Sequence, residues 1–131
     1  MQVLVVDDSS TMRKFIKKIL VGAGFEVLEA KHGREALAVL QQHPDVCLTL
    51  IDWNMPEMNG MDLLSGIRAE HAFDAMRIMM VTTEMELASV TRALERGASE
   101  YVMKPFTREV ILEKLRLLGF EVPEASLQSA P

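Results

Sequence analysis

Apolar residues along this chain follow two alternating patterns, short runs and longer stripes at helical spacing, and the alternation predicts a layered fold. Val3 to Val6, Val46 to Ile51, Ile78 to Val81 and Tyr101 to Met103 are almost wholly apolar. Such runs suit parallel strands covered on both faces better than half-exposed antiparallel ones. Val27 and Leu28 supply a shorter second strand, while the fourth extends from about Arg77 to Thr82 and the fifth from about Glu100 to Met103. Between them, Met12, Phe15, Ile16, Ile19 and Leu20 recur as the stripe of an amphipathic helix, with Ser9, Ser10 and Thr11 as N-cap candidates and Gly22 and Gly24 at its end. A second helix opens at Gly33, buries Ala36, Leu37 and Leu40, and stops at His43-Pro44. Leu63, Leu64 and Ile67 mark a third helix after the turn-rich loop Asn54 to Gly60. Leu87, Val90 and Leu94 mark a fourth that ends at Gly97, and Ile111, Leu112, Leu115 and Leu118 a closing one. Strands alternating with helices over short connections imply right-handed crossovers, hence an α/β fold with a doubly wound five-stranded parallel sheet.

The runs end in residues that carry chemistry: Asp7-Asp8, Asp52, Thr82-Thr83 and Lys104-Pro105. A parallel sheet gathers these ends on one rim, where open α/β folds bind their ligands. Three carboxylates meeting there repel one another, each pair by about 4 kcal/mol at ~4 Å and an effective dielectric near 20. A hard divalent ion answers that repulsion, and Mg²⁺ takes one or two carboxylates while leaving room for a phosphoryl oxygen. The plainer alternative is that Asp7 and Asp8 only favour the positive end of the first helix. Lys104 and Thr82 shift the balance, because an ammonium and a hydroxyl suit the oxygens of a phosphoryl group. Asp52 stands singly at the end of the central run and is the candidate nucleophile, with the Asp7-Asp8 pair holding metal.

With 131 residues, 49% of them hydrophobic, the chain has enough apolar material for one core-bearing domain, expected over residues 1–120 with a short tail over 121–131. A formal charge of −5 argues against affinity for nucleic acid or an anionic membrane surface. No apolar run approaches a membrane span and no signal-like segment opens the chain, so a cytoplasmic setting is expected. Cys47, the single cysteine, lies in an apolar run and reads as a small buried hydrophobe. The ten methionines read as core filling. His32, His43 and His71 lack metal-ligand spacing and receive no role. Arg13, Lys14, Lys17 and Lys18 form a polar helix face, solvated or turned to an acidic partner, and Trp53 reads as an exposed tryptophan on the rim.

Val5-Val6-Asp7-Asp8-Ser9-Ser10-Thr11-Met12-Arg13, Asp52-Trp53-Asn54-Met55-Pro56 with Gly60, Met80-Val81-Thr82-Thr83-Glu84, and Gly97 through Lys104-Pro105-Phe106-Thr107 together resemble the receiver domains of two-component response regulators, especially single-domain chemotaxis regulators of the CheY type. The resemblance covers about Val3 to Leu118. It implies a flavodoxin-like (βα)5 fold with strand order 2-1-3-4-5. It also implies that Asp52 accepts a phosphoryl group from a sensor histidine kinase, and that Mg²⁺ is held by Asp7, Asp8, Asp52 and the backbone carbonyl of Asn54. By the same resemblance Lys104 contacts the phosphoryl group, the Lys104-Pro105 bond is cis, Thr82 and Tyr101 form a switch pair, and Asn54 and Glu84 tune loss of the phosphoryl group. A monomer that turns over no external substrate is implied, with the flagellar motor switch or a histidine phosphotransfer protein as its partner. The phosphotransfer output would make the chain a phosphorelay intermediate. A haloacid-dehalogenase-like phosphatase would want Asp-x-Asp after the first strand, and a flavodoxin-like electron carrier a phosphate-cradling loop where two acids stand.

Overall fold

The computed structural model describes residues 1–83 and 88–122. Five strands, β1 (Gln2–Val6), β2 (Glu26–Ala30), β3 (Leu48–Asp52), β4 (Arg77–Thr82) and β5 (Glu100–Met103), alternate with α1 (Ser10–Gly22), α2 (Gly33–Gln42), α3 (Gly60–Arg68), α4 (Val90–Glu95) and α5 (Arg108–Leu117). All neighbouring strands pair in parallel in the order β2-β1-β3-β4-β5. The doubly wound sheet and its order are those expected. β3 is central and buried at every position, which explains its near-continuous apolar run.

Alternation along the strands divides the interior into two cores. Val3, Val5, Leu48, Leu50, Met79 and Val81 face α1 and α5, where they meet Ile16, Leu20, Ile111 and Leu115. Leu4, Val6, Ile51, Ile78 and Met80 face the opposite way onto Leu40, Leu63, Leu64, Ile67 and Ala93. Each fully buried Leu or Ile contributes roughly 1.5–3 kcal/mol, so the sheet is clamped from both sides. Phe120 packs edge-on against Phe25, with ring centroids 5.9 Å apart, and extends the first core past the end of α5.

Four helices begin with side-chain caps: Ser9 accepts from the Met12 N–H, His32 Nδ1 from Glu35, Asn59 from Asp62 and Thr107 from Val110. His32 is therefore structural. Glu35 Oε1 in return accepts the Lys31 N–H at 3.0 Å, closing a variant of the capping box.

Several elements depart from the apolar pattern. β2 is longer than Val27-Leu28, and β3 starts after Val46 but includes Asp52. Phe15 is 44% exposed and Leu94 43% exposed. Phe15 flanks the α1 stripe and rests against Phe106 at 5.8 Å, whereas in α4 the sheet takes Val90 and Ala93 and leaves Leu94 on the shoulder. Leu87, also expected in that stripe, lies outside the described residues, as do Glu84 and the expected tail from Pro123 onward. A 3-10 turn, His71–Phe73, was not foreseen and buries Phe73. Arg68, at the end of α3, donates to the carbonyls of Phe73, Met76 and Gly97 at 2.7–2.9 Å, joining that turn to the approach to β4 and to the corner between α4 and β5. Gly97 stands at φ +111, and a Cβ there would lie 2.9 Å from the Arg68 side chain.

Gly60 opens α3 against the backbone of the β3 end: a Cβ there would lie 2.6 Å from the Asp52 carbonyl oxygen and 2.8 Å from Trp53 Cα. Gly66, exposed inside α3, has nothing within 4 Å of such a Cβ. Gly60→Ala is expected to destabilise by about 1–3 kcal/mol through overpacking. Gly66→Ala should stabilise by about 0.5–1 kcal/mol. Urea unfolding of both variants checks the pair, and equal effects would contradict the close approach at Gly60.

Candidate functional site

The rim at the carboxyl ends of the strands collects the predicted residues. β1 delivers Asp7 and Asp8, β3 ends on Asp52, β4 on Thr82, and Lys104 follows β5. Oxygens of Asp7, Asp8 and Asp52 lie within 4.8 Å of one another. Lys104 Nζ reaches both buried acids, at 3.1 Å from Asp52 Oδ1 and 3.7 Å from Asp7 Oδ2. The Lys104-Pro105 peptide bond is cis.

The three acids are not equivalent. Asp7 and Asp52 are 1% and 5% exposed, while Asp8 is open to solvent. Asp7 Oδ1 accepts the Ser9 N–H at 2.8 Å, but Asp7 Oδ2 is buried without a hydrogen bond among the described residues, with Lys104 Nζ 3.7 Å away. Among the described residues it is the orphaned acceptor, and a buried orphan is costly unless something binds it. Desolvation chiefly, and after it the nearby Asp7 charge, lift the Asp52 carboxyl from 3.8 to about 6, against the opposing pull of Lys104 and of the Asn54 N–H. Asp7 is likewise raised, chiefly by burial. At separations within 4.8 Å each ionised acid pair repels by at least about 3.5 kcal/mol at an effective dielectric near 20. Lys104 offsets one of the three negative charges, which leaves a site suited to a small, hard, doubly charged cation.

Thr82 is fully buried at the end of β4, one residue past the partner of Asp52, and its hydroxyl donates to the Thr83 carbonyl at 3.1 Å. Tyr101 lies in the neighbouring strand, two residues before Met103, which pairs with Thr82. Its half-buried ring stands between an apolar gap too tight for water, walled by Trp53, Met80, Val90 and Ala93, and an open groove along Pro105, Phe106 and Val110. Lys114 Nζ lies 4.6 Å above that ring and 3.1 Å from Glu100 Oε1, which also accepts the Tyr101 N–H. Trp53 is half-buried against the core, not exposed as read from sequence. Asn54 is exposed, and the contact observed is its N–H to the Asp52 carboxylate.

Sequence reasoning passed over the supports beneath the acids. Arg13, read as part of a polar face, donates to the Asp7 carbonyl at 2.6 Å and pairs with Glu29 at 3.1 Å. Charged residues within reach of an acidic turn are the signal that could have flagged it. Cys47 is half-buried, its thiol donating to the Gln2 carbonyl at 3.2 Å and held above its ordinary pKa by burial, which fits the inert reading. No helix among the described residues is long and apolar enough to cross a membrane.

A profile of the response regulator receiver domain matches residues 3–116. A chemotaxis protein CheY homolog of Campylobacter jejuni is 52% identical over 116 residues, 88% of this chain and 89% of that one. The chemotaxis protein CheY1 of Helicobacter pylori is 50% identical over 119 residues, 90% of this chain and 96% of that one. Among solved structures, the chemotaxis protein CheY4 of Vibrio cholerae superposes with a TM-score of 0.82 at 34% identity, over 88% of this chain and 96% of that one.

The burial of Asp52 makes stability depend on pH. Between 3.8 and about 6 the native state keeps a proton that the unfolded chain has released, so this contribution to stability is present at low pH and lost as pH rises through 6. Asp52→Asn removes the penalty. In cation-free buffer it is expected to raise the unfolding free energy near neutral pH by up to about 3 kcal/mol, a shift of about two pH units at ~1.4 kcal/mol each, and to flatten the decline below it. Urea unfolding at a series of pH values measures this, and a variant no more stable than the parent at neutral pH would contradict it.

Proposed function

The chain belongs to the response regulator receiver family, and on that footing we propose that it is a phosphoryl-accepting switch in chemotaxis, loaded at Asp52 by a sensor histidine kinase. The observation that carries the reading is the convergence of the orphaned Asp7 Oδ2, Asp8, Asp52 and Lys104 at one rim. Relatives at 50% and 52% identity bear the name of chemotaxis proteins, which supports the signalling context.

The reaction asks little covalent work of the protein. A carboxylate oxygen of Asp52 attacks phosphorus in a phosphohistidine, the P–N bond breaks as the P–O bond forms, and the departing imidazole takes up a proton. Asp7, Asp8 and Asp52, with the Asn54 carbonyl, would hold Mg²⁺, which would supply charge neutralisation for the crowded oxygens. Lys104 exchanges its bond to Asp52 for one to a phosphoryl oxygen, a charge-assisted contact already aimed at the acceptor. Thr82 turns its hydroxyl from the Thr83 carbonyl toward a second oxygen. Attack by water on phosphorus breaks its bond to the Asp52 carboxylate, releases inorganic phosphate and restores Asp52, and Asn54 and Glu84 set the pace of this step.

The switch follows from where Thr82 and Tyr101 sit. Drawing Thr82 toward the phosphoryl group moves the end of β4, and the Tyr101 ring moves into the gap beside Val90 and Ala93. That repacks the face formed by α4, β5 and α5, the surface proposed for the flagellar motor switch. In this reading the protein is a cytoplasmic monomer, one receiver domain over residues 1–120 with a short tail.

Trp53 reports the site because it directly follows Asp52. Adding Mg²⁺ is expected to change its fluorescence saturably, and Asp8→Asn to weaken that response at least tenfold, the usual scale for disturbing a metal's ligands. An identical titration in the variant would sink the metal assignment. Acetyl phosphate with Mg²⁺ should add one phosphoryl mass to the intact chain and none to Asp52→Asn. Repeated turnover of phosphomonoesters, or phosphorylation surviving in Asp52→Asn, would count against the receiver reading.

A further inference from the structure

We propose that Arg13 is a positioning residue for the acidic site: its guanidinium sets the plane of the Asp7–Asp8 peptide and so aims the Asp8 carboxylate, with Glu29 as its anchor. The inference rests on the reading of this rim as a Mg²⁺ site.

Asp7 lies just past β1, and its N–H makes the last bond toward β2, to the Ala30 carbonyl at 3.1 Å. β2 ends at Ala30, and the Asp7 carbonyl is met instead by Arg13 Nη1 at 2.6 Å. A peptide unit is planar, so holding that oxygen fixes where the Asp8 nitrogen and Cα lie. Asp7 is thereby held at its N–H, at its carbonyl and at Oδ1 by Ser9, and the exposed Asp8 side chain departs from a peptide with little freedom left. Arg13 is itself constrained: its side chain is 13% exposed, and its Nε meets Glu29 Oε1 at 3.1 Å. Glu29 is carried by β2 opposite Val5, so its position is fixed by the sheet, and its other oxygen lies 3.4 Å from Lys17. The planar guanidinium serves both partners at once, which a lysine ammonium with its different geometry does not reproduce.

Position and charge predict opposite outcomes for the loss of Arg13. A cation beside an acidic site repels Mg²⁺, so on charge alone its removal tightens Mg²⁺ binding. If Arg13 acts by aiming Asp8, removal weakens binding despite the more negative rim.

The test is Mg²⁺ titration of the full chain, followed by Trp53 fluorescence and by calorimetry, with thermal unfolding measured in parallel without Mg²⁺. Arg13→Met is expected to weaken Mg²⁺ binding about 10–100-fold, the range for groups that orient metal ligands. Arg13→Lys, which keeps the charge and is the gentler change for folding, should weaken it in the same direction. Lys18→Met, removing a positive charge from the exposed side of the same helix, should leave it within about twofold. Binding by Arg13→Met or Arg13→Lys as tight as the parent's, or tighter, overturns the proposal. A parent chain that shows no response to Mg²⁺ overturns the metal reading and this inference with it, whereas a responsive parent with unaltered Arg13 variants overturns the inference alone.

Discussion

Two carboxylates forced out of water at the ends of adjacent strands, Asp7 and Asp52, set the terms for the rest of the molecule. Their burial is costly, their mutual repulsion adds to the cost, and Lys104 offsets only part of it. A protein that tolerates this arrangement holds free energy in reserve at one place, available to any cation that relieves it. Each component of the rim answers the same demand: an ammonium within reach, an orphaned oxygen facing the cluster, and backbone N–H groups of Ser9 and Asn54 turned to the acids. Ligand occupancy and folding stability are coupled in such a site because one set of charges governs both.

The scaffold resists this strain through the division of its interior. One core lies beneath α1 and α5, the other beneath α2, α3 and α4, and β3 is buried between them along its whole length. Asp52 is the last residue of that strand and is buried with the rest of it. Tyr101 lies on the edge strand β5, with packing on one side and an open groove on the other. The buried acid and the half-buried tyrosine therefore stand at the centre and at the edge of one sheet.

Sequence pattern reveals whatever depends on period and on strand ends. β4 and β5 fall where their apolar runs predict them, and Asp7, Asp8, Asp52 and Lys104 meet because parallel strands end on one rim. Apolar pattern misplaced Phe15 and Leu94, since hydrophobicity marks a helix stripe without telling its centre from its shoulder. Trp53 looked like a rim residue because the turn-rich loop follows it, yet its ring packs inward beside Met80. Arg13, Arg68 and His32 were illegible for a common reason. Each acts on main-chain groups distant in the fold or hidden in a turn, and such partners leave no periodic trace.

Arg68 shows what one such residue imposes on its surroundings. Its guanidinium is the shared donor for three carbonyls, those of Phe73 and Met76 in the connection between α3 and β4 and that of Gly97 between α4 and β5, two segments far apart in the chain. Neither segment can swing outward without stripping a hydrogen bond from a side chain that also serves the other. Amide protons along these stretches should consequently exchange with solvent as a single cooperative block, so that the edge of the sheet remote from the acids opens all together or stays shut.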